Sequence, residues 1–527
     1  MQILPSDVSI ATNASQATHE LRDYQQAAVS SVRTKWKEAD RLLGVAPTGS
    51  GKNHIAAGIT EERRSAGPVL ILAHREELLE QTRSKIALLS DLIIEKEQAE
   101  NWASLSADVV VGSVQTLSRS SRLEGFAQDH FRTVIVDEAH RTLGDSYLRI
   151  LKYFGQAKVL GVTATPDRGD RRSLSHYYQD LAFEISLIEL IQKKWLAPIK
   201  VKTIPLAIDI SRVGMRGGDY SDEELAQVLE PVLRESAGAI NQHAAERKSL
   251  VFLPLVRTAY QLAEILRSLG LAAEAIDGES PDRKEILARF HSGEIRILCN
   301  AMLLTEGYDE PSIDCIIPLR PTTSRSLYSQ QIGRGTRTSP GKENLLILDF
   351  LWLSREHDLV KAPSLIAKDQ KEQAEIEAQL ERADGDLLIA ESLALSEREA
   401  ALGRRLDERR HEQGSEIDLL ELATRWHAPD IIGYQPTFDW ERKPWSEKQG
   451  AILKRNGVDL GLVQNRGHAA ALLTSLFAYL EHEPATQKQK RYCHFLGHPD
   501  PWQLTKREAN RWIAQHKAQL TSIQERR

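Results

Sequence analysis

The sequence predicts an α/β chain with two parallel-sheet domains in tandem, followed by an α-helical C-terminal region. Three observations predict it. Residues 40–200 alternate short β-branched apolar runs with amphipathic segments, a second such series follows, and beyond Ser364 the strand-like runs give way to a texture of Glu, Ala, Leu, Gln and Arg. Near-continuous apolar strands separated by helical patterns are the mark of strands buried on both faces of a parallel sheet.

The first series consists of "RLLGVA", "VLILAH", "VVVGS", "TVIVDE" and "KVLGVTAT"; the second of "KSLVFLP", "AAEAID", "IRILCN", "DCIIPL" and "NLLILDF". A chain of 527 residues is too long for one hydrophobic core. The layout expected is an N-terminal tail at 1–17, a first α/β domain at 18–200, a linker or insertion at 201–237 and a second α/β domain at 238–360. A charged helical arm follows at 361–432, then helical repeats at 437–480 and 481–527. The linker rests on "SRVGMRGGDYSDEELAQVLE", which is polar and contains glycine. The arm, from Ser364 to Trp426, has the composition of long solvated helices, a helical hairpin serving as a spacer, an oligomerisation arm or a protein-docking arm.

The repeats are an internal match at a spacing of forty. "PWSEKQGAILKRNG" (Pro444 to Gly457) aligns without gaps to "PATQKQKRYCHFLG" (Pro484 to Gly497). Ser446 and Thr486 are the expected N-caps, and Gly457 and Gly497 the expected helix ends. Ala469 and Ala509 fall at matching positions of a second helix in each unit. From Thr437 to Arg527 there are 15 Lys/Arg against 9 Asp/Glu, in a chain whose net charge is -6. A basic end on an acidic body points to a polyanionic partner. Trp445, Trp502 and Trp512 are readable either as base-stacking residues or as core of small modules.

No secretory signal and no apolar run of membrane-spanning length is visible, and Cys299, Cys315 and Cys493 are far apart. A disulfide framework or zinc site is not expected, and a reducing cytoplasm is.

The chemistry begins at "APTGSGKN", Ala46 to Asn53. Glycines between a strand and a helix let backbone N–H groups close on phosphate oxygens, with the helix end adding positive potential. Pro47, Thr48, Gly49, Ser50 and Gly51 would form that cradle, with Lys52 contacting the outer phosphates. Where a Mg²⁺-ligating hydroxyl is usual, this chain has Asn53. Its carboxamide oxygen is an acceptable ligand but sits one bond further out, against the near-ideal octahedral demand of Mg²⁺. In "VIVDEAH", an apolar strand ends in two carboxylates; Asp137 is read as the Mg²⁺ partner and Glu138 as the group that orients the attacking water. "YSQQIGRGTR" spaces Gln330, Gly333, Arg334 and Arg337 as QxxGRxxR, and arginines three apart share a helix face.

These motifs, in this order, resemble superfamily 2 DEAD/DEAH-box helicases and translocases, in the branch near RadD-like repair helicases and the motor subunits of type III restriction enzymes. The resemblance covers residues 18 to 352 and implies two RecA-like domains, with ATP and Mg²⁺ bound between them. By resemblance, "LRDYQQ" is an adenine-reading motif, with Gln25 on the base and Arg22 and Tyr24 beside it. "LAHREELLEQ" and "GSVQTL" would grip the nucleic-acid backbone through Arg75, Gln115 and Thr116. "GVTATP", with Thr163 and Thr165, would link hydrolysis to strand movement. In "LLTEGYDEPSID", Thr305 would face nucleic-acid phosphate, and Gly307 and Asp309 the nucleotide. The departures are the lack of a cysteine module and Asn53. The function expected is an ATP-dependent DNA helicase or translocase with lowered turnover, DNA ranking above RNA. An ATP-gated nucleic-acid clamp, or a motor subunit of a larger restriction, defence or repair complex, is the alternative, with a protein partner on the 361–432 arm.

Overall fold

In the computed structural model, the described residues are 21–513, apart from 75, 165–173, 217, 306–307, 354–358, 413–418, 483–484, 486, 497, 499–503, 506–507 and 510. The expected ten strands are all present, in two sheets. The first contains β1 (Arg41–Val45), β2 (Val69–Ala73), β3 (Ile94–Glu97), β4 (Val109–Ser113), β5 (Thr133–Asp137), β6 (Lys158–Thr163) and β7 (Asp180–Glu184), in the spatial order β3-β4-β2-β5-β6-β1-β7. Every neighbouring pair is parallel. β2 and β4 are buried along their whole length, as their aliphatic runs "VLILA" and "VVV" lead one to expect.

The second sheet contains β8 (Ile199–Asp209), β11 (Ser249–Phe252), β12 (Ala273–Ile276), β13 (Ile297–Asn300), β14 (Cys315–Pro318) and β15 (Leu345–Leu353), in the order β12-β13-β11-β14-β15-β8. It too is wholly parallel. Between β8 and β11 lies a two-stranded hairpin, β9 (Met215–Arg216) and β10 (Asp219–Tyr220).

Two expectations are corrected. Residues 201–209 are not linker: β8 runs beside β15 from Ile199 to Asp209 and completes the second sheet. Nor is the following insertion loose. Arg320 pairs with Asp219 and Asp222 at 2.8 and 2.7 Å, and Thr322 donates to Asp219, so the hairpin is fastened to the sheet. The arm is also less solvated than its composition suggests. Helices Gln370–Gln379 and Leu387–Glu412 do form a hairpin, but its turn docks on the edge strand, with Val201 N donating to Gly385 O at 2.8 Å. Ile376, Ala383, Leu387 and Ala390 are buried there. An uncovered parallel edge would leave backbone groups open to pairing with other chains, and the hairpin covers it.

The first helical repeat folds as its caps predict. Ser446 accepts from Gln449 N and opens helix Glu447–Arg455, while Gly457 adopts φ +84° after it. Its core recruits Leu422, Ala423 and Trp426 from the end of the arm, with Trp445 packed against the cluster. In the second unit, Ala485, Cys493 and Ala509 are buried together; Thr486, Gly497 and Trp502 lie outside the described residues.

Candidate functional site

Because the first sheet is parallel, the segments after β1, β2, β4, β5 and β6 all open on one edge, the place where open α/β sheets bind ligands. The phosphate-loop segment leaves β1 and enters helix Lys52–Arg63. Gly49 at φ +90° and Gly51 at φ +81° make the turn, in a region that costs a side chain about 1–2 kcal/mol. A Cβ on Gly51 would lie 2.5 Å from Gln25 Nε2. That contact exists because the first turn of helix Asp23–Lys35 lies directly on the loop. Tyr24 OH and Gln25 Nε2 both donate to Ser50 O, at 2.8 and 3.1 Å. Gln25 Oε1 accepts from Arg22 N, and the Arg22 guanidinium sits 4.3 Å from the centre of the Trp195 ring. Trp195 is a member of this group that sequence reasoning missed; a single tryptophan between two domains carries no spacing signal.

Glu138 is held in the left-handed region at φ +52°, an uncommon conformation for a charged residue, and such strain gathers at functional sites. The turn carries its carboxylate back to Lys52, with Nζ 3.1 Å from Oε1. His140 Nδ1 lies 3.3 Å from Glu138 Oε2 and 3.4 Å from Thr163 Oγ1. A polar relay therefore joins the loops after β1, β5 and β6. Burial alone would raise the Glu138 carboxyl, but Lys52 and His140 hold it far below the ordinary carboxylate range. Burial likewise opposes the Lys52 ammonium, and the Glu138 and Asp137 charges outweigh it to hold Lys52 above its usual value. Both groups are charged at neutral pH.

The residues present fit a nucleotide. The hydroxyls of Thr48 and Ser50 are buried and have no protein partner among the described residues. Unsatisfied buried hydroxyls are costly, and phosphate oxygens would satisfy them. Asp137 ends β5 at the same edge. No cluster of three metal-ligating side chains exists among the described residues, so a Mg²⁺ ion here would depend on the phosphates and water for most of its shell.

The arginine segment comes from the other half. Helix Arg325–Gly333 is capped by Ser324, whose side chain accepts from Leu327 N. Gln330 is buried within it, and Arg334 follows at 8% exposure. Arg334 Nη1 donates to Tyr308 O at 2.6 Å, and Arg337 pairs with Asp309. This segment faces the phosphate loop: Thr336 Oγ1 donates to Thr48 O at 3.3 Å, and Ala197 N donates to Thr336 O at 2.8 Å. A Cβ on Gly333 would fall 2.2 Å from Thr48 Cβ. Pro47, Thr48, Ser329, Ile332 and Thr336 line a cleft between the halves, and the Arg334 charge is close enough to press on Lys52. Lys342, unforeseen from the sequence, donates to Pro311 O, Ile313 O, Gly335 O and Arg337 O, and so ties the Asp309 and Arg337 segments together.

The nucleic-acid candidates divide. Gln115 is exposed after β4. Thr116 and Thr305 are buried, and their hydroxyls serve the fold: Thr116 Oγ1 accepts from Ala99 N at 3.2 Å, and Thr305 Oγ1 donates to Met302 O at 2.7 Å. Arg75, Thr165 and Gly307 lie outside the described residues.

The family model described as type III restriction enzyme, res subunit, matches residues 18–168, and the helicase conserved C-terminal domain matches 227–339. A Saccharomyces cerevisiae relative provisionally named ATP-dependent helicase IRC3 is 31% identical over 370 residues, covering 66% of this chain and 53% of the relative. A Schizosaccharomyces pombe relative, provisionally named mitochondrial ATP-dependent helicase irc3, is 34% identical over 364 residues, covering 66% and 60%. The chain thus spans just over half the length of these curated relatives. Among solved structures, an ATP-dependent type ISP restriction-modification enzyme, LlaBIII bound to DNA, shares the fold at 15% identity. Its TM-score is 0.51, over 87% of this chain and 40% of that one.

Proposed function

Because the chain belongs to the superfamily 2 helicases and translocases, with relatives among restriction motors, we propose that it is an ATP-dependent DNA translocase or helicase whose turnover is lowered by Asn53. One observation carries the reading: the arginine segment of the second half packs on the phosphate loop of the first, with Thr336 on Thr48 and the Arg334 charge felt at Lys52. The restriction-enzyme description of the first match favours DNA over RNA, and the basic C-terminal region suits a nucleic acid of either kind.

In this reading, Lys52 and the amides of residues 48–52 hold the phosphates of ATP, with Gln25, Tyr24 and Arg22 on the base side. Mg²⁺, held by Asp137 and Asn53, supplies charge neutralisation when bound. Glu138 accepts the proton of the attacking water while its oxygen bonds to the terminal phosphorus and the bond to the bridging oxygen breaks. Arg334 and Arg337 steady the charge that moves onto the leaving ADP, a contribution of about 10³–10⁵ in rate where such arginines have been measured. His140 and Thr163 would carry the change at Glu138 into the strand-contacting edge, and the halves would alternate their grip. The three cysteines are free and buried, which suits a reducing cytoplasm, and no described helix is long and apolar enough to cross a membrane. The charged face of the 361–432 arm is the surface proposed for a protein partner.

The test is ATP turnover with single-stranded DNA, double-stranded DNA or RNA, on the wild-type chain and on Asn53→Thr. DNA should stimulate both, and the variant more. If no polymer stimulates either protein, the motor reading fails. Asn53 itself favours a second reading, an ATP-gated nucleic-acid clamp or motor subunit, which predicts ATP-dependent DNA binding with turnover unchanged by Asn53→Thr.

A further inference from the structure

Strand β3 is the edge strand beside β4, and the loop after it, residues 98–107, opens on the same sheet edge as Gln115. It carries Trp102, 64% exposed. An exposed tryptophan of this size is unusual, and here it is held in place at some cost. Arg122 and Glu97 form a buried ion pair at 2.6 Å, with side chains only 6% and 1% exposed. Such a pair is unfavourable unless its remaining hydrogen-bonding capacity is used, and in this loop it is used on the backbone. Arg122 Nη2 donates to Ala99 O and Asn101 O at 2.8 and 2.7 Å, and Glu97 Oε2 accepts from Ala103 N at 2.7 Å. Glu95 accepts from Ser104 N at 2.5 Å. Ala99 is forced to φ +47° within this frame.

The frame also sets the ring. The Arg122 guanidinium lies 3.6 Å from the centre of the Trp102 ring, so one indole face is backed by a fixed cation while most of the residue stays in solvent. The same loop is joined to the neighbouring segment, since Ala99 N donates to Thr116 Oγ1. Gln115 and Arg119 are exposed on the segment after β4 that carries Thr116, where they offer an amide and a positive charge. A rigid aromatic face beside a basic side chain is the combination that holds an unpaired base and its phosphate.

We propose that Trp102 is a stacking platform for a base of single-stranded nucleic acid, placed at the outer end of the strand-contacting edge and kept rigid by the Arg122–Glu97 pair. This rests on the motor reading above, and it adds a contact that none of the helicase motifs contains. The ring would take any base, because every base has a π face, so it would contribute affinity without sequence preference.

The test uses the full chain with two probes of about 20 nucleotides, the scale of one or two single-strand sites: oligo-dT, and an abasic deoxyribose-phosphate strand of equal length. Wild type should bind oligo-dT more tightly than the abasic strand. Trp102→Ala should weaken oligo-dT binding about tenfold and leave abasic binding unchanged, while Trp102→Phe keeps most of the affinity. If Trp102→Ala binds oligo-dT as tightly as wild type, the ring belongs to a protein partner or to nothing, and the proposal is overturned while the motor reading stands. Equal losses on both probes would mark a scaffold residue and overturn it as well. If wild type binds neither probe with or without ATP, this proposal is overturned, and the motor reading is decided separately by whether any polymer stimulates ATP turnover.

Discussion

The two halves of the cleft hold their charged side chains differently, although each also buries a polar atom without a hydrogen-bond partner among the described residues, Gln330 Nε2 in the second. In the first, polar atoms wait: the hydroxyls of Thr48 and Ser50 are buried without a protein partner among the described residues, and Lys52 sits charged beside Glu138. In the second, the site charges are already engaged within their own half, Arg334 on Tyr308 O and Arg337 on Asp309. The difference teaches which half receives the anion and which responds to it. Releasing Arg337 is cheap, since its pair is 22% and 38% exposed and pairs of that kind contribute about 0–1 kcal/mol. The Lys52–Glu138 pair, at 15% and 11%, is far better shielded and forms a standing part of the site.

That contrast can be broken in stages. Arg334→Ala and Arg337→Ala should each lower the single-turnover rate of ATP cleavage by about 10³–10⁵-fold while ADP affinity stays near wild type; loss of ADP binding in either would contradict the assignment of these residues to the responding half. Lys52→Ala should reduce turnover by about 10²–10³-fold and also weaken nucleotide binding, measurable by titration of a fluorescent ATP analogue. Gly333→Ala places a methyl against Thr48 and should lower denaturant stability of the joined halves by about 1–3 kcal/mol; an unchanged midpoint would mean that the contact opens freely. Asn53→Thr should raise DNA-stimulated turnover about tenfold, and with it the apparent affinity for Mg²⁺ in a metal titration. The smallest effect belongs to Asp309→Asn, which removes an exposed partner and should change turnover by no more than about fivefold.

Much of this was legible because buried strands leave an unbroken apolar signature. The two strand series appear in the structure where their β-branched runs lie, and the phosphate loop and the helix Arg325–Gly333, which ends just before Arg334 and Arg337, meet at one cleft. Besides the short hairpin strands β9 and β10, the strands that escaped notice are β3, β7 and β8, all at sheet edges, where "IEKE" or "DLAFE" mixes charge with apolar residues because one side faces less protein. The docking of the arm was illegible for a related reason. Its contacts run through backbone groups at Val201 and Gly385 and a few scattered apolar side chains, Ile376, Ala383, Leu387 and Ala390, too sparse for composition to mark as a buried face. Burial of Thr116 and Thr305 was illegible too, since spacing cannot tell a hydroxyl bonded to nearby backbone from one that is open to solvent.

The central claim is that residues from both halves act on one phosphoryl group. Its most direct test is the affinity of wild type and Arg337→Ala for ADP alone and for ADP with aluminium fluoride, a mimic of the transferring phosphoryl. The account predicts equal ADP binding and a loss of about 10²-fold or more for the mimic in the variant. Equal binding of the mimic by both proteins would contradict it and leave the second half without a part in the chemistry.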